Sequence, residues 1–243
     1  MKKLVAIIGS PRSYNSATYK IAHKIAKDLN NNGINVDSKF FILSDLKINK
    51  CLGCASCFLK CDSCAKFDDD MKEIEEAMIE ADFIILGSPV YAHNVTGDMK
   101  VFIDRLSSFL HIMKFAGKYG VTISTSSSNG NVYVDQYLLK IMESLGIKVI
   151  DQISYMSIKG FNQKNFSKCI NKIVNILSNK TSIESSELQE QFFKTYKKAY
   201  YESYQNTIMY DDKLKNQEAL YWYNNGYFNF NSFEELFNSM KNI

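Results

Sequence analysis

The chain has 243 residues, 46% of them hydrophobic, with 29 basic against 26 acidic side chains for a formal charge of +3. That much apolar content can bury a substantial core and argues against wholesale disorder, while so slight a charge excess predicts neither nucleic acid nor an anionic membrane as a partner. No run approaches the roughly 18 apolar residues of a membrane span, and the apolar run inside "MKKLVAIIGSPRS" is too short for a secretory core, so the expectation is a cytoplasmic protein working on small molecules.

In chain order, "KLVAII" (3–8) predicts a buried strand ended by Gly9, and "NSATYKIAHKIAKDL" a helix with Ile21, Ile25 and Leu29 on one face. "INVDSKFFIL" (34–43) predicts the second strand, and "DDDMKEIEEAMIEA" a helix whose Asp68 to Asp70 suit its positive end. "DFIILG" (82–87) is the third strand. A single helix is expected over 97–110, with Met99, Phe102, Ile103, Leu106 and Leu110 on one face. "YGVTIST" (119–125), a helix at 131–146 and "IKVIDQISY" (147–155) follow. Helices alternating with five apolar strands predict an α/β fold with a parallel, doubly wound sheet. A closing helix ends that domain, placed at 1–180, and 181–243 is expected to be a helical, aromatic-rich extension with helices at 185–209 and 232–241. The stretch "LYWYNNGYFNF" (220–230) could cover a neighbouring subunit or pack as a layer on its own chain.

Pro11 and Pro89 are the two prolines of the chain, and each closes a Gly-Ser-Pro triplet behind an apolar run. Ligands of a doubly wound sheet bind outside the carboxyl ends of its strands, where the strand order reverses. The first loop, "GSPRSYNSAT" (9–18), offers Gly9 for close approach, polar donors at Ser10, Ser13, Asn15, Ser16 and Thr18, and Arg12 ahead of a helix start. This reads as a phosphate cradle without a lysine; it lacks both the Gly-Lys-Ser/Thr of a P-loop and the G-x-G-x-x-G fingerprint. The bland alternative is a strand-to-helix turn capped by Ser or Asn. Arg12 and Arg105 are the two arginines; Arg105, beside Asp104, reads as a structural ion pair anchoring its helix, and Lys100 as helix surface or an intersubunit contact.

Five of six cysteines, Cys51, Cys54, Cys57, Cys61 and Cys64, fall in "CLGCASCFLKCDSC" (51–64), and Cys169 stands apart as an inert buried thiol. In a reducing compartment such crowding points to metal or redox chemistry rather than disulfides. The C-x2-C-x2-C spacing suits an iron–sulfur cubane, with a fourth thiolate from Cys61 or Cys64. Zinc usually separates two C-x2-C knuckles by a dozen or more residues; bare thiols are the other alternative.

"GSPR" with its Ser/Asn/Thr-rich turn, "SPVYAHNVTGDMKVFIDR" (88–105) and "CLGCASC" before an acidic helix start together resemble the NADPH-dependent FMN reductase family, in particular its cysteine-bearing iron–sulfur flavoprotein branch, over about residues 1–155. The resemblance implies a flavodoxin-like sheet of order 2-1-3-4-5 and an FMN site on three loops. Ser10, Arg12, Asn15, Ser16 and Thr18 would hold the phosphate, Pro89, Val90, Tyr91 and Asn94 would lie against the ring, and Thr125, Ser126, Ser127 and Gly130 would complete the pocket. It also implies a [4Fe–4S] cluster on Cys51, Cys54, Cys57 and, since the branch's fourth ligand comes late, Cys64. This chain has Ser16 and Ala17 where the family usually has Asn and Thr. His93 could tune the flavin or donate a proton, but reads as a solvated loop residue.

The function this implies is an FMN-dependent oxidoreductase that takes electrons from NAD(P)H or a ferredoxin and passes them to a flavin, quinone or nitroaromatic, with the flavin carrying the chemistry and no obligatory acid or base. A non-enzymatic electron carrier is the second reading and a zinc-stabilised binding module the third. Related folds build the flavin pocket across a subunit interface, so a homo-dimer or homo-tetramer is expected.

Overall fold

The computed structural model describes residues 1–60, 64, 66–209 and 216–241. Five strands, β1 (Lys2–Ile8), β2 (Val36–Ile42), β3 (Phe83–Pro89), β4 (Tyr119–Ser126) and β5 (Lys148–Met156), form one sheet in the order β2-β1-β3-β4-β5. Every pairing is parallel. Leu4 to Ile8 and Phe83 to Leu86 are all buried. Consecutive buried residues leave neither face of those strands to water, so their apolar runs are continuous rather than alternating.

Among the described residues the helices are α1 (Ala17–Asn31), α2 (Met71–Glu80), α3 (Gly97–Arg105), α4 (Ser107–His111), α5 (Asn131–Ser144), α6 (Gln163–Leu177), α7 (Glu187–Met209), α8 (Gln217–Asn224) and α9 (Phe233–Met240). Helix α1 packs on β3, β4 and α6, and α5 on β4, β5 and α7. Its apolar stripe, Ile21, Ile25 and Leu29, is buried as the periodicity predicts. The single helix expected at 97–110 is two. The chain breaks at Leu106, whose N–H reaches back three residues to Ile103 at 3.0 Å, where Arg105 is drawn inward to a distant carboxylate.

That carboxylate corrects the expected partner of Arg105. Asp104 pairs with Lys100 on the exposed side of α3, whereas Arg105 forks onto Asp69, Nη1 to Oδ2 at 2.7 Å and Nη2 to Oδ1 at 3.1 Å, with both side chains buried. The same Nη1 donates to the Asn49 carbonyl at 2.9 Å, and the Asn49 amides donate to Asp69. Asp70 accepts from the N–H of Lys47 at 2.6 Å. Asp69 and Asp70 thus stitch together the two stems of the cysteine segment; at α2 the Asp69 side chain accepts from Met71 N–H at 3.3 Å and the Asp70 carbonyl from Ile74 N–H at 3.4 Å.

The extension packs into the same core. Lys148 of β5, fully buried, donates to the Ile183 carbonyl at 3.0 Å and to Glu234 at 2.6 Å. Gln189 of α7 donates to Ile147 O at 3.0 Å, and Glu190 accepts from the first N–H groups of α9, Phe233 and Glu234, at 3.0 Å each. Trp222 and Tyr227 are buried and Trp222 contacts Phe193 and Tyr200. Residues Trp222 and Tyr227 thus pack in a layer on their own chain.

Candidate functional site

Above the carboxyl ends of β1 and β3, where the strand order reverses, the loops enclose a cleft of about 570 Å³. The two Gly-Ser-Pro segments are bonded directly: Gly9 N–H donates to Gly87 O at 2.8 Å, and the Thr96 hydroxyl donates to Gly9 O at 2.6 Å. Gly87 is required for this closeness, because a Cβ there would stand 2.6 Å from Thr18 Cγ2. The Thr18 and Thr125 hydroxyls share a buried bond of 2.8 Å that joins the first loop to the fourth strand. Thr18 therefore spends its hydroxyl on the scaffold.

Of the thirteen residues the sequence pointed to, eleven line the cleft: Ser10, Arg12, Asn15, Ser16, Thr18, Pro89, Val90, Tyr91, Thr125, Ser126 and Ser127. Asn94 and Gly130 do not. Asn94 closes a two-residue turn with Tyr91, N–H to carbonyl in both directions at 2.8 and 2.9 Å, and its amide oxygen accepts from Val95 N–H at 2.8 Å. Gly130 sits at φ +85° at the start of α5, behind Val90. Four lining residues were missed: Ala17, Lys20, Tyr155 and Ser157. Lys20 follows the Ser16 cap by one helical turn and adds a second cation to the lining beyond the lysine-free loop 9–18; the i, i+4 spacing was the available signal. Tyr155 and Ser157 arrive from β5, through tertiary pairing that no local pattern reveals. The fourth loop is organised by Asn131, fully buried, whose amide donates to Ser124 at 2.8 Å and to Tyr155 O at 3.2 Å.

The electrostatics of the cleft suit a phosphate monoester bearing a planar ring. Ser16 caps α1, its hydroxyl accepting from Tyr19 N–H at 3.1 Å, so the helix presents its positive end to the cleft. Arg12 and Lys20 both line it, and neither has an ion-pair partner among the described residues. Pro89, Val90, Tyr91 and Tyr155 supply apolar and aromatic walls, and the volume falls in the range of cofactor sites. These residues fit FMN.

Cys51 and Cys54 are exposed, and Cys57 and Cys64 are half-buried. Hydrogen bonding from Ser56, 3.2 Å from its sulfur, lowers the pKa of Cys54, and burial raises that of Cys57. The donor chemistry is that of an iron–sulfur ligand set, yet among the described residues no three His, Cys, Asp or Glu side chains converge as a metal site. Cys61, the alternative fourth ligand, lies outside the described residues. Cys169 is buried against β5 with its thiol pushed up to about 12 by desolvation, which makes it inert as expected.

A five-stranded parallel sheet of order β2-β1-β3-β4-β5 with an anion-ready cleft over the reversal defines a flavodoxin-like protein. The chain belongs to the NADPH-dependent FMN reductase family, whose model matches residues 2–162. It is 38% identical over 146 residues to an iron–sulfur flavoprotein of Archaeoglobus fulgidus, covering 60% of this chain and 64% of the relative, just under two thirds of its length. A Clostridioides difficile iron–sulfur flavoprotein is 28% identical over 177 residues, 73% of this chain and 76% of that one. Among solved structures, apo NADH:FMN oxidoreductase superposes with a TM-score of 0.54 at 24% identity over 76% of this chain and 92% of that one. RosB with bound 8-demethyl-8-formylriboflavin-5'-phosphate superposes at 0.56 and 14%, over 78% and 84%. These two show the fold. No helix among the described residues is long and apolar enough to cross a membrane.

Proposed function

We propose that this FMN oxidoreductase takes electrons from NAD(P)H and delivers them to a small organic acceptor. The observation that carries the reading is the cleft itself, which Arg12 and Lys20, without an ion-pair partner among the described residues, and the positive end of α1 line together with Pro89, Val90 and Tyr91. FMN, when bound, supplies hydride and single-electron chemistry. The protein's part is to hold the phosphate with Arg12, Lys20 and the first turn of α1, to wall the ring with Tyr91 and Tyr155, and to leave one face open to reactants. A [4Fe–4S] cluster on Cys51, Cys54, Cys57 and Cys64 is supported by the cysteine spacing and by the names of the relatives. Ferredoxin is the alternative donor, and a homo-dimer or homo-tetramer in the cytoplasm the expected assembly and place.

The test is the visible spectrum and the iron and sulfide content of protein purified without oxygen, followed by addition of NADPH. Bound flavin that bleaches with NADPH supports the reductase. Flavin that bleaches with reduced ferredoxin alone supports the electron carrier, and a colourless protein overturns both.

A further inference from the structure

The cysteine segment is fixed at its stems by Asp69 and Asp70, and between them it has little to pack on. Over residues 51–60 only Ser56, Cys57 and Phe58 are half-buried, and the rest, Leu52 and Leu59 included, are exposed. Phe58 rests on the ring of His111 at the end of α4, with 5.0 Å between centroids.

His111 is in turn held from the extension. Its Nδ1 bonds Glu218 of α8 at 2.8 Å, and because an ionised carboxylate only accepts, Nδ1 carries the hydrogen. The ring also meets Tyr196 of α7 at 5.9 Å. From Tyr196 the ring contacts run on to Tyr200 at 5.8 Å and from there to the buried Trp222 at 5.6 Å. A row of rings thus joins the cysteine segment to the core of the extension. A glutamate suits the first turn of α8 by its charge alone, but that role needs no partner 107 residues away. The family model ends at residue 162, so α7 and α8 lie beyond the matched part of the chain.

We propose that Glu218 and His111 are positioning residues through which the extension holds the cysteine segment in place. Glu218 fixes the orientation of the imidazole, and the oriented ring seats Phe58, the neighbour of Cys57 in sequence. Without the carboxylate the half-exposed ring is free to turn and Phe58 loses its seat, while the stems at Asp69 and Asp70 stay tied. The inference concerns the placement of the segment and holds whether its thiols carry a cluster or none.

The test is hydrogen exchange, followed by mass spectrometry of peptic fragments covering 55–60, in protein purified without oxygen. The N–H groups of Phe58 and Lys60, which donate to Ala55 O at 3.1 Å and Cys57 O at 3.3 Å, report opening of this stretch. In Glu218→Ala the exchange is expected to quicken about tenfold, as for loss of one charge-assisted hydrogen bond of about 1.4 kcal/mol, while fragments of β1 and β3 stay within about twofold of wild type. His111→Ala, which removes a half-exposed ring, is expected to do the same and keeps the test open if Glu218→Ala does not fold. Glu218→Gln, whose amide oxygen still accepts from Nδ1–H, is expected to stay within about threefold of wild type. Exchange over 55–60 within about twofold of wild type in the alanine variants, or quickened equally in β1 and β3, overturns the role of Glu218 and His111. Iron in the wild-type protein is assayed alongside: its absence counts against the cluster reading, and the exchange over 55–60 still decides the role of Glu218.

Discussion

Arg105 and Asp69 show how much one buried pair can decide. The planar guanidinium bonds both Asp69 oxygens and the Asn49 carbonyl at once, so a lysine at 105 would satisfy at most part of the set. Burial alone would raise the Asp69 pKa, but the Arg105 guanidinium and the Asn49 amides outweigh it and hold the group at about 2, against an ordinary 3.8. Because the folded-state value is depressed, the stabilisation is complete above pH 3.8 and is lost as pH falls toward 2. It amounts to about 2 kcal/mol at 1.36 kcal/mol per unit. Arg105→Met, which leaves a buried carboxylate unpaired, is expected to cost about 3–5 kcal/mol in urea denaturation. The double variant Arg105→Met/Asp69→Leu should recover much of that loss; if the two costs simply add, the pair is not the unit described. Arg105, one of two arginines in the chain, was read as a structural ion pair anchoring its helix, and an ion pair is what it makes, with a different carboxylate. Asp69 could not be found as the partner, because Asp104 is its neighbour in sequence and Asp69 its neighbour only in space.

At the scale of elements, the loops around the cleft depend on close backbone approaches. Gly87→Ala would push β3 against Thr18 and is expected to cost about 1–3 kcal/mol by overpacking and to weaken FMN retention together with stability, measurable by thermal melts with and without FMN. Ala92→Gly relieves a positive φ, a gain of about 1–2 kcal/mol offset by about 0.4–1 kcal/mol for the freer unfolded chain, so thermal melts should show stability retained or raised; a loss of more than about 1 kcal/mol would mean that the turn is not strained. The strands and most helices were legible because burial on both faces of a parallel sheet writes continuous apolar runs, and amphipathic helices write a period near four. The break at Leu106 was not, since the apolar face of 97–110 is periodic throughout and the break adjoins Arg105, whose partner Asp69 is distant in sequence. Likewise eleven of the lining residues followed from two repeated triplets and the resemblance they carry, whereas Tyr155 and Ser157 reach the cleft through the pairing of β5 with β4.

At the scale of the whole molecule, the extension is part of the core rather than an arm. Trp222 packs against Phe193, Tyr200 and Tyr227, and the buried Lys148 ties β5 to α9 through Glu234. Trp222→Ala is expected to cost about 3–5 kcal/mol and to lower the melting temperature of the entire protein in one transition; a separate early transition of the extension would contradict a shared core. Its helices were legible in outline, but their docking was not, because the partner of Lys148 lies 86 residues away.

In the proposed function the first Gly-Ser-Pro loop grips the phosphate of FMN. This grip is tested most directly by titrating apoprotein with FMN and with riboflavin, which lacks the phosphate, in wild type and Arg12→Ala, following flavin fluorescence. With a charged hydrogen bond contributing about 1.5–3 kcal/mol, the account predicts that Arg12→Ala weakens FMN binding by at least about tenfold and leaves riboflavin binding unchanged. Equal losses for both flavins, or no loss for FMN, would contradict it.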